Sequence, residues 1–134
     1  MTINVKAFIP QLREKAITAS KNAYSPYSKV LVGSAVLTQN EEIYSGCNIE
    51  NSSYGATVCA ERVAIFKAIS EKKVNIAALY VYTDEGWPPC GMCRQVLSEF
   101  ASNETLIIIG NKNGEEKIST LKELFPNAFT PKYL

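Results

Sequence analysis

Pro89-Cys90-Gly91-Met92-Cys93, preceded by the apolar run Ala77-Ala78-Leu79-Tyr80-Val81-Tyr82-Thr83, decides how this chain folds. The run reads as a buried strand, and Pro89 suits the start of a helix extending to about Ala101. Val96, Leu97 and Phe100 fall on one side of that helix. A strand that leads through a loop into a helix is the building unit of α/β folds. The loop delivers two cysteines to the helix's first turn, where residues three apart share a face. A helix N-terminus also favours the thiolate form of cysteine.

Working outward, Cys59-Ala60-Glu61-Arg62 opens a second such helix, Ala60 to Ile69, whose Val63, Ala64, Phe66 and Ala68 suit burial over much of its surface. Ile9, Leu12, Ala16, Ala19 and Ala23 recur at helical spacing, giving a first helix from about residue 5 or 10 to 23, with Pro10 leaving its start open. Ser25-Pro26-Tyr27-Ser28 is a turn. Val30 to Leu37 and Glu42 to Cys47 read as a β-hairpin around Thr38-Gln39-Asn40-Glu41. Thr105 to Gly110 is a further buried strand, Lys117 to Ser119 an edge strand, and Thr120 to Leu124 a short helix. The expected fold is α/β: a mixed sheet of about five strands with helices on both faces, three layers α/β/α, in a single domain over residues 1–134. Both cysteine loops lead into helices, where open α/β sheets place their sites.

Cys59, Cys90 and Cys93 together read as a catalytic zinc site. Zn²⁺ prefers four tetrahedral ligands, so three protein thiolates leave one position for water. Glu61, two residues after a ligand and on the first turn of its helix, can reach that water without binding the metal. A carboxylate there can take a proton and pass it on. Zinc deaminases carry this arrangement, a His or Cys followed two residues on by Glu, with Pro-Cys-x-x-Cys elsewhere. Two other readings compete. Cys47 could complete a Cys₄ structural zinc site in a non-catalytic module, and a Cys-x-x-Cys pair alone could be redox-active. There is no histidine, so every histidine-based triad, shuttle or ligand set is excluded.

The 134 residues carry 46% hydrophobic side chains, an ordinary globular content. With 14 basic and 13 acidic groups the formal charge is +1, which argues against a nucleic-acid partner, because phosphate binding relies on clustered Lys and Arg. No signal segment opens the chain and no apolar run approaches a membrane span of roughly 20 residues. The expectation is a cytoplasmic protein without a membrane partner. Thiols stay reduced in that compartment, which favours metal ligation over disulfides.

Tyr24-Ser25-Pro26-Tyr27-Ser28, Gly46-Cys47-Asn48-Ile49-Glu50-Asn51, Cys59-Ala60-Glu61-Arg62 and Pro89-Cys90-Gly91-Met92-Cys93-Arg94-Gln95 resemble, in this order along the chain, the cytidine deaminase family in its small homotetrameric form. The resemblance runs from about residue 10 to about Pro131. It implies one zinc per subunit on Cys59, Cys90 and Cys93. It also implies attack of water on C4 of a pyrimidine, with Glu61 protonating N3 and ammonia leaving. Free cytidine and 2′-deoxycytidine are the implied substrates, in pyrimidine salvage. By the same resemblance Arg62 compensates the thiolates' charge, Asn48 and Glu50 hold the ribose hydroxyls, and the backbone of Ala60 contacts the ring. Phe129 would enter a neighbouring subunit's site, so the sites would sit at subunit interfaces, and Tyr54 falls in a subunit-contact loop. Alternate residues of an extended segment face the same way, so the spacing of Asn48 and Glu50 allows a joint grip on one sugar. Cys47 would be a small buried thiol outside the zinc site.

Two departures separate the chain from the family's pattern. Val30 stands where an aromatic residue usually packs against the base, which loses stacking or makes room for bulkier bases. Trp87-Pro88 stands where smaller residues are more common, and Trp87 could line the site mouth or be a partly buried anchor. An alternative is therefore a related zinc deaminase acting on a modified cytidine or an aminoacylnucleoside.

Overall fold

The computed structural model describes residues 3–134. Helix α1 (Val5–Ser20) is followed by a hairpin of β1 (Gly33–Thr38) and β2 (Ile43–Cys47), then α2 (Ala60–Ser70), β3 (Ile76–Tyr82), α3 (Gly91–Glu99), β4 (Leu106–Gly110), β5 (Glu116–Thr120) and α4 (Leu121–Leu124). The strands form one sheet in the order β2-β1-β3-β4-β5. β1 pairs antiparallel with β2 and β3, β3 pairs parallel with β4, and β4 pairs antiparallel with β5.

Successive side chains of a strand face opposite ways, so each central strand feeds two cores. Ala35, Leu37, Ala78, Tyr80 and Ile108 meet Ile9, Leu12 and Ala16 of α1 on one face. Val36, Leu79, Val81, Ile107 and Ile109 meet Ala64, Ile65 and Ala68 of α2 and Leu97 of α3 on the other. This is the expected three-layer arrangement with a mixed five-stranded sheet. Each large aliphatic side chain so buried contributes about 1.5–3 kcal/mol. The layers approach closely at two glycines. A Cβ on Gly33 would lie 1.8 Å from the Ala16 carbonyl oxygen, and one on Gly46 would lie 2.7 Å from the Ala64 nitrogen.

Arg13 of α1 reaches the edge strand β5, donating from Nε to Glu116 Oε2 at 2.6 Å and from Nη2 to Oε1 at 2.8 Å. The Tyr80 hydroxyl donates to the same carboxylate. One carboxylate therefore joins α1, β3 and β5.

Several boundaries differ from expectation for local reasons. α1 starts at Val5 and runs through Pro10, which is exposed, where the missing N–H costs least. It ends at Ser20 rather than 23, because the chain turns so that Tyr24 can bridge to Ile49. β1 begins at Gly33 rather than Val30: Lys29 has φ 65°, outside the extended region, and Val30 and Val32 bond to a side chain instead of a strand. α3 ends at Glu99. Phe66, expected in the buried part of α2, is half exposed. Among the described residues no helix is long and apolar enough to cross a membrane.

Candidate active site

Strands β2, β3 and β4 point the same way, and the chain leaving β2 and β3 at their carboxyl ends builds the site. Cys59 is the N-cap of α2, and Cys90 the N-cap of α3, with Cys93 in that helix's first turn. The two helix starts bring three sulfurs within 4.8 Å of one another. Cys59 Sγ lies 3.8 Å from Cys90 Sγ, which lies 3.5 Å from Cys93 Sγ. Tetrahedral zinc thiolates with bonds of about 2.3 Å place their sulfurs about 3.8 Å apart. The spacing fits such an ion. The cysteines are free thiols, not a disulfide. Cys47, at the end of β2, stands outside the group and is half-buried rather than buried. It lines a different cavity, with Lys15 and Lys67, and so does not complete a Cys₄ site.

Charge also favours a cation. Hydrogen bonding from Cys93, with Arg62 and Cys90 assisting, pulls the Cys59 thiol down to about 5, against the opposing effect of burial. Cys93 is held well above the ordinary range because it donates to Cys59 and is buried. Of that pair the protein's own groups thus favour the thiolate on Cys59 over one on Cys93. Ionising both takes a divalent cation. Arg62 Nη2 lies 3.5 Å from Cys59 Sγ, one turn along α2.

Glu61 occupies the first turn of α2 and is only 4% exposed. Burial pushes its carboxyl up to about 7, with the Cys59 thiolate adding to the rise and the Arg62 guanidinium opposing it. A carboxyl so placed can hold or release a proton near neutral pH. Ala60, the first residue of α2, is fully buried beside it.

Glu61, Cys59 and Cys90 line one cavity of about 330 Å³ together with Ser28, Val30, Val32, Asn48 and Glu50. Val58, Val81, Thr83, Trp87 and Pro88 also contribute to its wall. This is the lower end of the range for small-molecule sites. Asn48, nearly buried, spends its amide on the neighbouring backbone, accepting from Val32 N at 2.9 Å and donating to Val30 O at 2.8 Å. Glu50 accepts at Oε1 from the backbone N–H groups of Tyr27 (2.9 Å) and Ser28 (3.1 Å), and at Oε2 from the Ser28 hydroxyl. The Ser28 hydroxyl leads the bonds that hold the Glu50 carboxyl below its usual value, so Glu50 faces the cavity as an acceptor.

The structure brings Cys59, Cys90, Cys93, Glu61, Arg62, Ala60, Asn48, Glu50 and Val30 to one end of the sheet. Phe129 and Tyr54 lie away from this cavity, both exposed, Tyr54 at 81%. Phe129 stacks on Tyr133 with centroids 5.6 Å apart, and its carbonyl accepts from Gln95 Nε2 at 3.0 Å. Two contributors carry no local signal of their own in the sequence. Ser28, within the turn motif 24–28, holds Glu50 through its hydroxyl. Thr83 ends the apolar run, yet its hydroxyl accepts from Gly86 and Trp87 of the next loop.

A family model described as the cytidine and deoxycytidylate deaminase zinc-binding region matches residues 8–109. The cytidine deaminase of Halalkalibacterium halodurans is 46% identical over 121 residues, covering 89% of this chain and 92% of that protein. The crystal structure of cytidine deaminase from Burkholderia pseudomallei superposes with a TM-score of 0.86 at 36% identity, covering 90% of this chain and 98% of that one. That of the Mycobacterium tuberculosis cytidine deaminase gives 0.79 at 37% identity, covering 90% and 95%.

Proposed function

The chain belongs to the cytidine and deoxycytidylate deaminase zinc-binding family, and from that premise we propose that it converts free cytidine and 2′-deoxycytidine to uridine and 2′-deoxyuridine. Water adds at C4, the bond from C4 to the exocyclic nitrogen breaks, and ammonia leaves. The observation that carries this reading is the buried carboxyl of Glu61 in one cavity with Cys59 and Cys90.

A zinc ion held by Cys59, Cys90 and Cys93 would supply Lewis acidity and lower the pKa of water beside it. Glu61 takes the proton of the attacking water, delivers it to ring N3, and serves the departing amine in turn. Three thiolates would leave Zn²⁺ with net charge minus one, which weakens its acidifying power. Arg62, against Cys59, offsets that charge. Asn48 and Glu50 receive the sugar. The ionised, hydrogen-bonded carboxylate of Glu50 accepts from a hydroxyl and repels phosphate, which favours a nucleoside over a nucleotide.

Phe129 and Tyr54 are both exposed; in a homotetramer Phe129 enters a neighbouring subunit's site and Tyr54 serves subunit contacts, with solution mass as the test. The protein acts as one domain, in the cytoplasm. A second reading, a modified cytidine as substrate, is supported by Val30, whose small side chain lines the cavity.

The deciding experiment follows absorbance and ammonia on adding cytidine to wild type and Glu61→Gln at equal zinc content. Turnover in wild type alone is the expected result. No turnover by a fully zinc-loaded wild type overturns the cytidine reading and directs the assay to modified cytidines.

A further inference from the structure

Trp87 is the chain's single tryptophan and, among the described residues, the one aromatic lining the cavity that holds Glu61, Cys59 and Cys90. The remaining apolar wall, Val30, Val32, Val58, Val81 and Pro88, offers no π surface. Trp87 is 47% exposed and belongs to neither core cluster, so it does not anchor the fold.

Its position is nevertheless fixed. The Thr83 hydroxyl, on a residue 2% exposed, accepts from the backbone N–H groups of Gly86 and Trp87, each at 2.8 Å. Gly86 has φ 81°, a conformation that favours glycine, and a Cβ there would lie 3.2 Å from Asn111 Cβ. The loop between β3 and α3 therefore presents Trp87 from a set geometry rather than letting it wander. Trp87, Val30 and Thr83 also border a second cavity of about 470 Å³, so at this point the wall is one residue thick.

We propose that Trp87 is the aromatic wall of the substrate cavity, its indole face stacking on the ring of a heteroaromatic ligand and selecting planar bases. The ligand class rests on the nucleoside deaminase reading; the placement of the indole does not. Every base has a π face, so stacking on an aromatic side chain supplies affinity without a hydrogen-bonding code. Val30 and Trp87 line the same cavity, and the flat surface that Val30 lacks is supplied by Trp87.

Because there is one tryptophan, indole emission from the zinc-loaded protein reports this position alone. Titration with uridine, the proposed product, should change that emission saturably, with a midpoint matching inhibition of cytidine turnover by uridine. Trp87→Ala should raise KM for cytidine about tenfold with kcat within about threefold, and Trp87→Phe should restore most of the loss. A merely structural tryptophan would not follow uridine or separate KM from kcat. If Trp87→Ala does not fold, the wild-type titration and Trp87→Phe carry the test. Turnover with emission indifferent to saturating uridine and KM unmoved by Trp87→Phe or Trp87→Ala overturns the wall and leaves deamination standing. Absence of cytidine turnover with a saturable emission change overturns the cytidine reading and supports the wall.

Discussion

Asn48 Nδ2 donates to the Val30 carbonyl at 2.8 Å, while the other end of the same amide accepts from Val32 N at 2.9 Å. A side chain thus replaces a neighbouring strand for the two residues that enter the cavity wall just before β1. Asn48→Ala takes the partner from a part-buried carbonyl and N–H, at about 1 kcal/mol or somewhat more. Chemical denaturation should show that loss, and KM for cytidine should rise more than kcat falls. Asn48→Asp, which sets an acceptor against the Val30 carbonyl, should be at least as damaging.

Metal content separates the cysteines. Cys47→Ser should retain one zinc per chain, because Cys47 stands outside the sulfur cluster. Cys90→Ser should lose the metal or bind it far more weakly. Atomic absorption on purified variants decides, and zinc loss in Cys47→Ser would restore the Cys₄ structural reading. Removing zinc from wild type with a chelator should also lower the melting temperature, since a ligand that binds only the folded form stabilises it.

Gly33→Ala should be among the most destabilising single-methyl additions in the chain. The new Cβ would meet the Ala16 carbonyl oxygen at 1.8 Å, backbone against backbone, so α1 must shift away from β1. Overpacking of this kind costs about 1–3 kcal/mol or more. Urea unfolding of the variant measures it, and a loss below about 0.5 kcal/mol would show that α1 moves freely on the sheet.

The Arg13 bond, followed by the Tyr80 hydroxyl, holds the Glu116 carboxyl below its ordinary range against the opposing effect of burial. A folded pKa below the unfolded one gives stability that is complete above the normal glutamate range and fades as pH falls through and below it. Arg13 is partly exposed, so the ion pair itself is worth about 1 kcal/mol or less. Glu116→Gln should lower the melting temperature at neutral pH and narrow its difference from wild type in acid. A difference that stays constant with pH would remove the charge from the explanation.

The α/β layering was legible because the central strands read as apolar runs and the helices as amphipathic or buried ones. The sulfur cluster was legible because Cys-x-x-Cys and Cys-x-Glu impose their own spacing at helix starts. What escaped was decided by contacts distant in sequence. Val30 looked like strand but bonds to Asn48, eighteen positions on, and residues 21–23 looked helical but turn so that Tyr24 can bridge to Ile49. Ser28 as the holder of Glu50 depends on a partner twenty-two positions away. No local pattern announces such pairs.

Cys59, Cys90 and Cys93 all precede β4 and β5, the strands that complete the far side of the sheet. During synthesis the three sulfurs therefore leave the ribosome while β3 still has an unpaired flank. Binding one ion to them closes a loop of about thirty residues spanning α2 and β3, and that closure becomes intramolecular help for everything made afterwards. Zinc supply at the time of translation should then govern how much folded protein a cell accumulates, and not only how active the finished chains are.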